Sequence, residues 1–143
     1  MKLKYINDIN PATGELITKV KCSTEKEIDR AVNNAKNALK LWGEMPLKER
    51  SKRLELIAKD FVKNKERIGR IITDEMGKLY KSASGETHAV AYGIRETIEQ
   101  AKIALKVEML KEENLITELH RTPIGVCAII TPWNFPVSMP ESL

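Results

Sequence analysis

Aromatic side chains are scarce. Phe, Trp and Tyr together make 5% of the 143 residues, so any core must be built from Leu, Ile, Val, Ala and Met, and the length suits one domain. Cysteine is nearly absent too. Cys22 and Cys127 stand far apart and form neither a CxxC pair nor a metal-ligand spacing. That pattern fits a reduced, cytoplasmic protein and calls for no metal. No apolar run approaches the roughly 18 residues of a membrane span, and the start, Met1 to Asp8, carries no apolar signal core. Charge of one sign is missing as well. The formal net charge is +4, and Lys48, Arg50, Lys52 and Arg53 are answered by Glu44, Glu49 and Glu55. Such interleaving reads as a solvated face, unlike the basic stripe of a nucleic-acid binder.

What is present is helical periodicity. Asn10-Pro11-Ala12-Thr13-Gly14-Glu15 has the composition of a turn, and Leu16 to Cys22 alternates like a short edge strand. Thr24 with Glu27 fits a capping box. Ile28, Ala31, Val32, Ala35, Ala38, Leu39 and Trp42 then form a helical stripe, with Gly43 placed to end it. Pro46 suits the first turn of a second helix, whose stripe is Leu54, Ile57, Ala58, Phe61 and Val62. A third segment carries Ile68, Ile71, Ile72 and Met76, with Gly77 as its stop. A fourth, from about Ser84 to Leu105, carries Val90, Ile94, Ile98, Ala101 and Leu105. Gly69, Gly77, Gly85 and Gly93 are evenly spaced, yet the residues between them do not match, so a repeat is not inferred.

The character changes after Leu105. Lys106 to Asn114 is polar with scattered apolar residues. Leu115 to Arg121 alternates like a half-exposed strand. Val126-Cys127-Ala128-Ile129-Ile130, bounded by Gly and Pro, reads as a strand buried on both faces, the kind found in parallel α/β sheets. Helices followed by one such strand predict the beginning of an α/β domain.

The sharpest segment is Pro123-Ile124-Gly125-Val126-Cys127-Ala128-Ile129-Ile130-Thr131-Pro132-Trp133-Asn134-Phe135-Pro136. It resembles the P-x-G-V-x-x-x-I-x-P-W-N-F-P stretch of the NAD(P)-dependent aldehyde dehydrogenase superfamily. Asn10 to Glu15 is similar to that family's N-P-A-T-G-E, Glu75-Met76-Gly77-Lys78 to its E-M-G-K, and Gly85-Glu86 to the G-E that follows. The resemblance runs from about Ile9 to Pro136. It implies the N-terminal portion of the family's α/β fold in three parts. Residues 1–104 would be the mainly helical part of the cofactor-binding domain, and 105–122 an oligomerisation arm reaching a neighbouring subunit. Residues 123–143 would hold the first strand of the dinucleotide-binding sheet and the Pro-Trp-Asn-Phe-Pro loop. The short start resembles the succinate-semialdehyde and small aliphatic aldehyde branches.

The family reaction oxidises an aldehyde to a carboxylic acid. A cysteine thiolate attacks the carbonyl, donors stabilise the oxyanion, NAD or NADP takes hydride, and a carboxylate activates water. By resemblance, Asn134 is the oxyanion donor, a neutral amide that stabilises charge without titrating. Its alternative is a turn residue in a Pro-rich loop. Ile130, Thr131, Pro132 and Trp133 match positions lining the cofactor, just beyond a strand end where ligands bind in open α/β sheets. Trp133 has a core reading beside that one. Phe135 matches a position near the aldehyde, with ordinary packing as its alternative. The missing GxGxxG fingerprint is neutral, because the family binds its dinucleotide without it.

Cys127 is read as a structural thiol inside the strand, and Cys22 has no identifiable activator. His88 and His120 lie in no motif and read as surface or packing residues. The family's nucleophilic cysteine and general-base glutamate both belong downstream of Pro136. The expectation is therefore a truncated aldehyde dehydrogenase, inactive alone and acting as a homo-oligomer or with a missing C-terminal part. One chain of a split enzyme, or a non-enzymatic helical oligomerisation module, are the alternatives.

Overall fold

The computed structural model describes residues 4–142. Two antiparallel ribbons and three long helices make up most of it. Strand β1 (Tyr5–Ile9) pairs with β2 (Leu16–Lys21), Ile6 facing Val20. The turn between them follows from its composition. The Asn10 Oδ1 accepts from the amides of Ala12 at 2.9 Å and Thr13 at 3.2 Å, and Gly14 takes φ 75°. An Asx turn closed by a left-handed glycine reverses the chain without strain.

Helix α1 (Glu25–Glu44) begins at the predicted capping box, with both reciprocal bonds between Thr24 and Glu27 formed. It runs one residue past Gly43. Its apolar stripe is only partly covered: Leu39 and Trp42 are half-buried, while Ile28 and Val32 remain exposed.

The second and third helical segments are one helix, α2 (Leu47–Met76), of 30 residues. Lys63 to Arg67 is polar but contains no Pro or Gly and consists mostly of good helix formers, so the polarity marks a solvated side and no break. Gly77 ends α2 in the left-handed region at φ 72°, its amide bonding the Thr73 carbonyl at 2.8 Å. Helix α3 (Tyr80–Ala104) starts four residues before the predicted Ser84. It packs along α2, burying Val90, Ala91, Ile94 and Ile98 against Ala58, with Leu54, Phe61 and Val137 alongside.

Strand β3 (Glu108–Glu112), in a stretch that patterning leaves irregular, pairs with the predicted β4 (Leu115–Leu119). Arg121, just after β4, closes the open end of the hairpin through an ion pair with Glu108. The predicted strand Val126–Ile130 is not formed: residues 120–132 have no regular secondary structure. A strand buried on both faces needs neighbours to satisfy its backbone groups, and no described segment pairs with it. Cys127, expected inside that strand, is exposed for the same reason. A short helix, α4 (Ser138–Glu141), closes against α3.

Candidate functional site

Residues 131–138 form a turn that returns to the α2–α3 junction. Val137 anchors it by packing on the Ala58–Val90–Ile94 core. Polar anchoring comes from two residues of the quoted motifs to which sequence reasoning assigned no role, Lys78 and Glu86.

Lys78 directly follows the Gly77 stop, where the left-handed backbone swings the chain from α2 toward α3. Glu86 lies two turns into α3, on the face that buries Ala83, Thr87 and Val90. Its side chain is 3% exposed. A carboxylate so buried is costly unless its oxygens are bonded, and here both are. One oxygen accepts from the Lys78 ammonium at 2.5 Å. The other accepts from the amides of Val137 at 3.1 Å and Ser138 at 3.2 Å, and from the Ser138 hydroxyl at 3.4 Å. Those amides open α4 and have no partner inside the helix. Burial pushes the Glu86 pKa up, but the Lys78 ammonium and the two amides outweigh it and hold the carboxyl below its ordinary value.

Lys78 in turn donates to the Asn134 carbonyl at 3.2 Å and lies 3.9 Å from the centre of the Phe135 ring. Its ammonium is thus shared between a carboxylate, a peptide oxygen and an aromatic face. The Asn134 carboxamide is exposed and has no hydrogen-bond partner among the described residues. It is a free donor on an anchored backbone.

Of the remaining predicted site residues, 130–133 are consecutive and mostly exposed. Ile130 is 93% exposed and Trp133 79%, with Pro132 exposed and Thr131 half-buried between them. Trp133 takes no part in the core of this chain. The stretch from 130 to 133 thus presents apolar side chains and one hydroxyl, with no charged group among them. Phe135 is half exposed and engaged by Lys78. Beside the turn lies an open apolar groove of about 570 Å³, lined by Leu54, Ile57, Phe61, Ile94, Pro136 and Val137. Glu141 also borders it, and burial raises that carboxyl above its ordinary value.

The exposed Cys127 thiol has one weak contact, 4.0 Å from the Gly125 carbonyl, and no imidazole bonded to it. His88 is exposed on α3, and His120 faces Glu118 at 2.9 Å after β4. Neither reaches Asn134. Among the described residues no group of His, Cys, Asp and Glu is disposed to hold a metal, and no helix is long and apolar enough to cross a membrane.

Similarity to known proteins follows the same outline. A malonate-semialdehyde dehydrogenase of Halalkalibacterium halodurans is 41% identical over 136 residues, covering 92% of this chain and 27% of that protein. The fold superposes on the NADP complex of an NADP-dependent glyceraldehyde-3-phosphate dehydrogenase from Bacillus halodurans with a TM-score of 0.89 at 32% identity. The match covers 96% of this chain and 30% of that one. An aldehyde dehydrogenase from Brucella melitensis biovar abortus gives a TM-score of 0.90 at 31% identity, over 96% and 29% of the two chains. The chain therefore spans less than a third of the length of these relatives. The sequence profile of the aldehyde dehydrogenase family matches residues 2–142, and the chain belongs to that family.

Proposed function

We propose that this chain forms one wall of an NAD(P)-dependent aldehyde dehydrogenase active site. Asn134 donates its amide hydrogens to the oxyanion of the attacked aldehyde. Ile130, Thr131, Pro132 and Trp133 lie against the nicotinamide end of NAD or NADP, which accepts hydride when bound. Phe135 borders the aldehyde. The nucleophile and the general base come from the portion of the relatives that this chain does not span. The single observation that carries the reading is the Asn134 carboxamide: exposed, unbonded among the described residues, and set on a backbone held by Lys78. A neutral donor held ready gives most where charge develops, because it costs no reorganisation.

The division into a helical part (1–104), an arm (105–122) and a sheet-forming segment (123–143) belongs to this reading. The β3–β4 hairpin exposes Met109, Leu110, Leu115, Ile116 and Leu119, which fits an arm covered by a second subunit in a homo-oligomer. Two unpaired cysteines suit a cytoplasmic setting.

The test is a fusion of residues 1–143 to the C-terminal portion of the Halalkalibacterium halodurans malonate-semialdehyde dehydrogenase, assayed for NAD(P)H formation over an aldehyde panel. Asn134→Ala is expected to lower kcat about 100- to 1000-fold, the loss of one oxyanion donor, with little change in the KM for NAD. Residues 1–143 alone are expected to give no turnover. Activity indifferent to Asn134→Ala, or turnover by the chain alone that survives repurification, overturns the reading.

A further inference from the structure

We propose that Lys78 and Glu86 are positioning residues that clamp the Asn134–Ser138 turn from both ends and so fix the backbone from which the Asn134 carboxamide projects. The inference rests on the reading of Asn134 as the oxyanion donor.

The geometry has two halves. At the front, Lys78 Nζ donates to the carbonyl of Asn134 itself. That bond fixes the peptide joining Asn134 to Phe135, and the Phe135 ring beneath the ammonium fixes the next residue. At the back, Glu86 receives the amides of Val137 and Ser138. The salt bridge between Lys78 and Glu86 joins the halves. Five residues of backbone are therefore held at both ends by one largely buried ion pair, while the carboxamide takes no part and stays free. A donor carried on a fixed backbone, with its own hydrogens unbonded, keeps them for the ligand. One that was itself bonded to the protein would have to break that bond first.

The pair is also badly placed to be a simple stabiliser of the helices. A buried ion pair is often no more stable than apolar side chains of the same volume, and the α2–α3 core beside it is already apolar. What apolar side chains could not supply is an acceptor for two orphan helix-start amides and a donor for the Asn134 carbonyl.

The test uses residues 1–143 and backbone 15N relaxation, with amide exchange at Val137 and Ser138. In the unaltered chain Asn134 and Phe135 are expected to be rigid, with order parameters of about 0.85, and the two amides protected. In Lys78→Met, order at Asn134 and Phe135 is expected to fall below about 0.6, while core residues such as Val90 and Ile94 keep theirs. Lys78→Arg, which retains the charge and donors, is expected to recover most of the order. The double variant Lys78→Met/Glu86→Leu leaves no unpaired buried charge, so it tests the clamp even where the single variant unfolds. It should release the whole turn, with exchange at Val137 and Ser138 at least tenfold faster. A turn already mobile in the unaltered chain, or equally rigid in the double variant, overturns the proposal. So does loss of order that spreads evenly through α2 and α3. None of these readouts involves turnover, so failure of the catalytic reading at Asn134→Ala leaves them standing, and their failure leaves that reading standing.

Discussion

Gly69 on α2 meets the backbone of Ser84 on α3 so closely that a methyl group at residue 69 would lie 3.0 Å from the Ser84 nitrogen and Cα. Backbone cannot step aside as the end of a flexible side chain can. Gly69→Ala should therefore push α3 away from α2 and strain the Ala58–Val90–Ile94 core, at a cost of about 1–3 kcal/mol. A urea titration followed by circular dichroism reads this as a lower midpoint at unchanged slope. A midpoint equal to that of the unaltered chain would mean that the helices do not touch at Gly69.

Gly85 gives the opposite sign. Nothing lies within 4 Å of the place its side chain would occupy, and it stands inside α3. Gly85→Ala should raise stability by about 0.5–1 kcal/mol, the helix-propensity difference between the two residues. The same titration should move its midpoint upward. Side by side, the two variants separate close packing from backbone entropy at positions one helix apart.

These two glycines also illustrate what the sequence could and could not disclose. Their even spacing with Gly77 and Gly93 carries no information, because each meets something different: a helix crossing, a left-handed stop, open solvent and the Glu141 carboxylate. The helices were legible because apolar periodicity and caps are local properties, as at Thr24 and Glu27. The Pro-Trp-Asn-Phe-Pro turn was legible from its composition. The α2 break was misread because Lys63 to Arg67 is polar on a solvated face, and polarity alone does not end a helix. β1 was missed because five residues give little pattern without their partner β2. Lys78 and Glu86 were visible only as matched motif letters. Their role depends on contacts 51 to 56 positions away, and no spacing rule reaches so far.

Thr24→Ala removes the acceptor for the Glu27 amide and should cost about 1 kcal/mol. A matching pH dependence is expected at Glu27. The Lys21 ammonium, then the Thr24 amide and hydroxyl, hold its pKa at about 2, against an ordinary 4.5. A depressed carboxyl contributes stability that is fully present above 4.5 and lost as pH falls through about 2. The midpoint of Thr24→Ala should therefore fall less steeply than that of the unaltered chain over this window. Parallel acid limbs would sink the assignment.

Glu86 and Glu141 should oppose each other in acid. The Glu86 carboxyl is depressed overall, so its contribution is complete above its ordinary 4.5 and fades as pH falls through its lower folded value. Glu141 is raised by burial beside the apolar groove. Its contribution is complete below 4.5 and is lost as pH rises through its higher folded value. Glu141→Gln should therefore stabilise the chain at pH 7 and make no difference at pH 3. Thermal unfolding at the two pH values checks this, and equal gains at both would point to packing as the cause.

The segment from Pro123 to Trp133 leads to the last prediction. Ile124, Val126, Ile129, Ile130 and Trp133 are exposed along a stretch with no regular secondary structure. Its backbone donors are therefore open to any strand that approaches, and its side chains favour burial by about 25 cal/mol per Å² of apolar surface. Residues 1–143 should associate in a concentration-dependent way. Sedimentation velocity would show the average mass rising with protein concentration, and Ile124→Ser/Ile130→Ser should return it toward the single chain. Because the Lys78–Glu86 clamp contacts the chain only from Asn134 onward, this double change should leave the protection of Val137 and Ser138 intact. Association that persists undiminished would shift attention to the apolar stripe of α1, where Ile28 and Val32 are exposed.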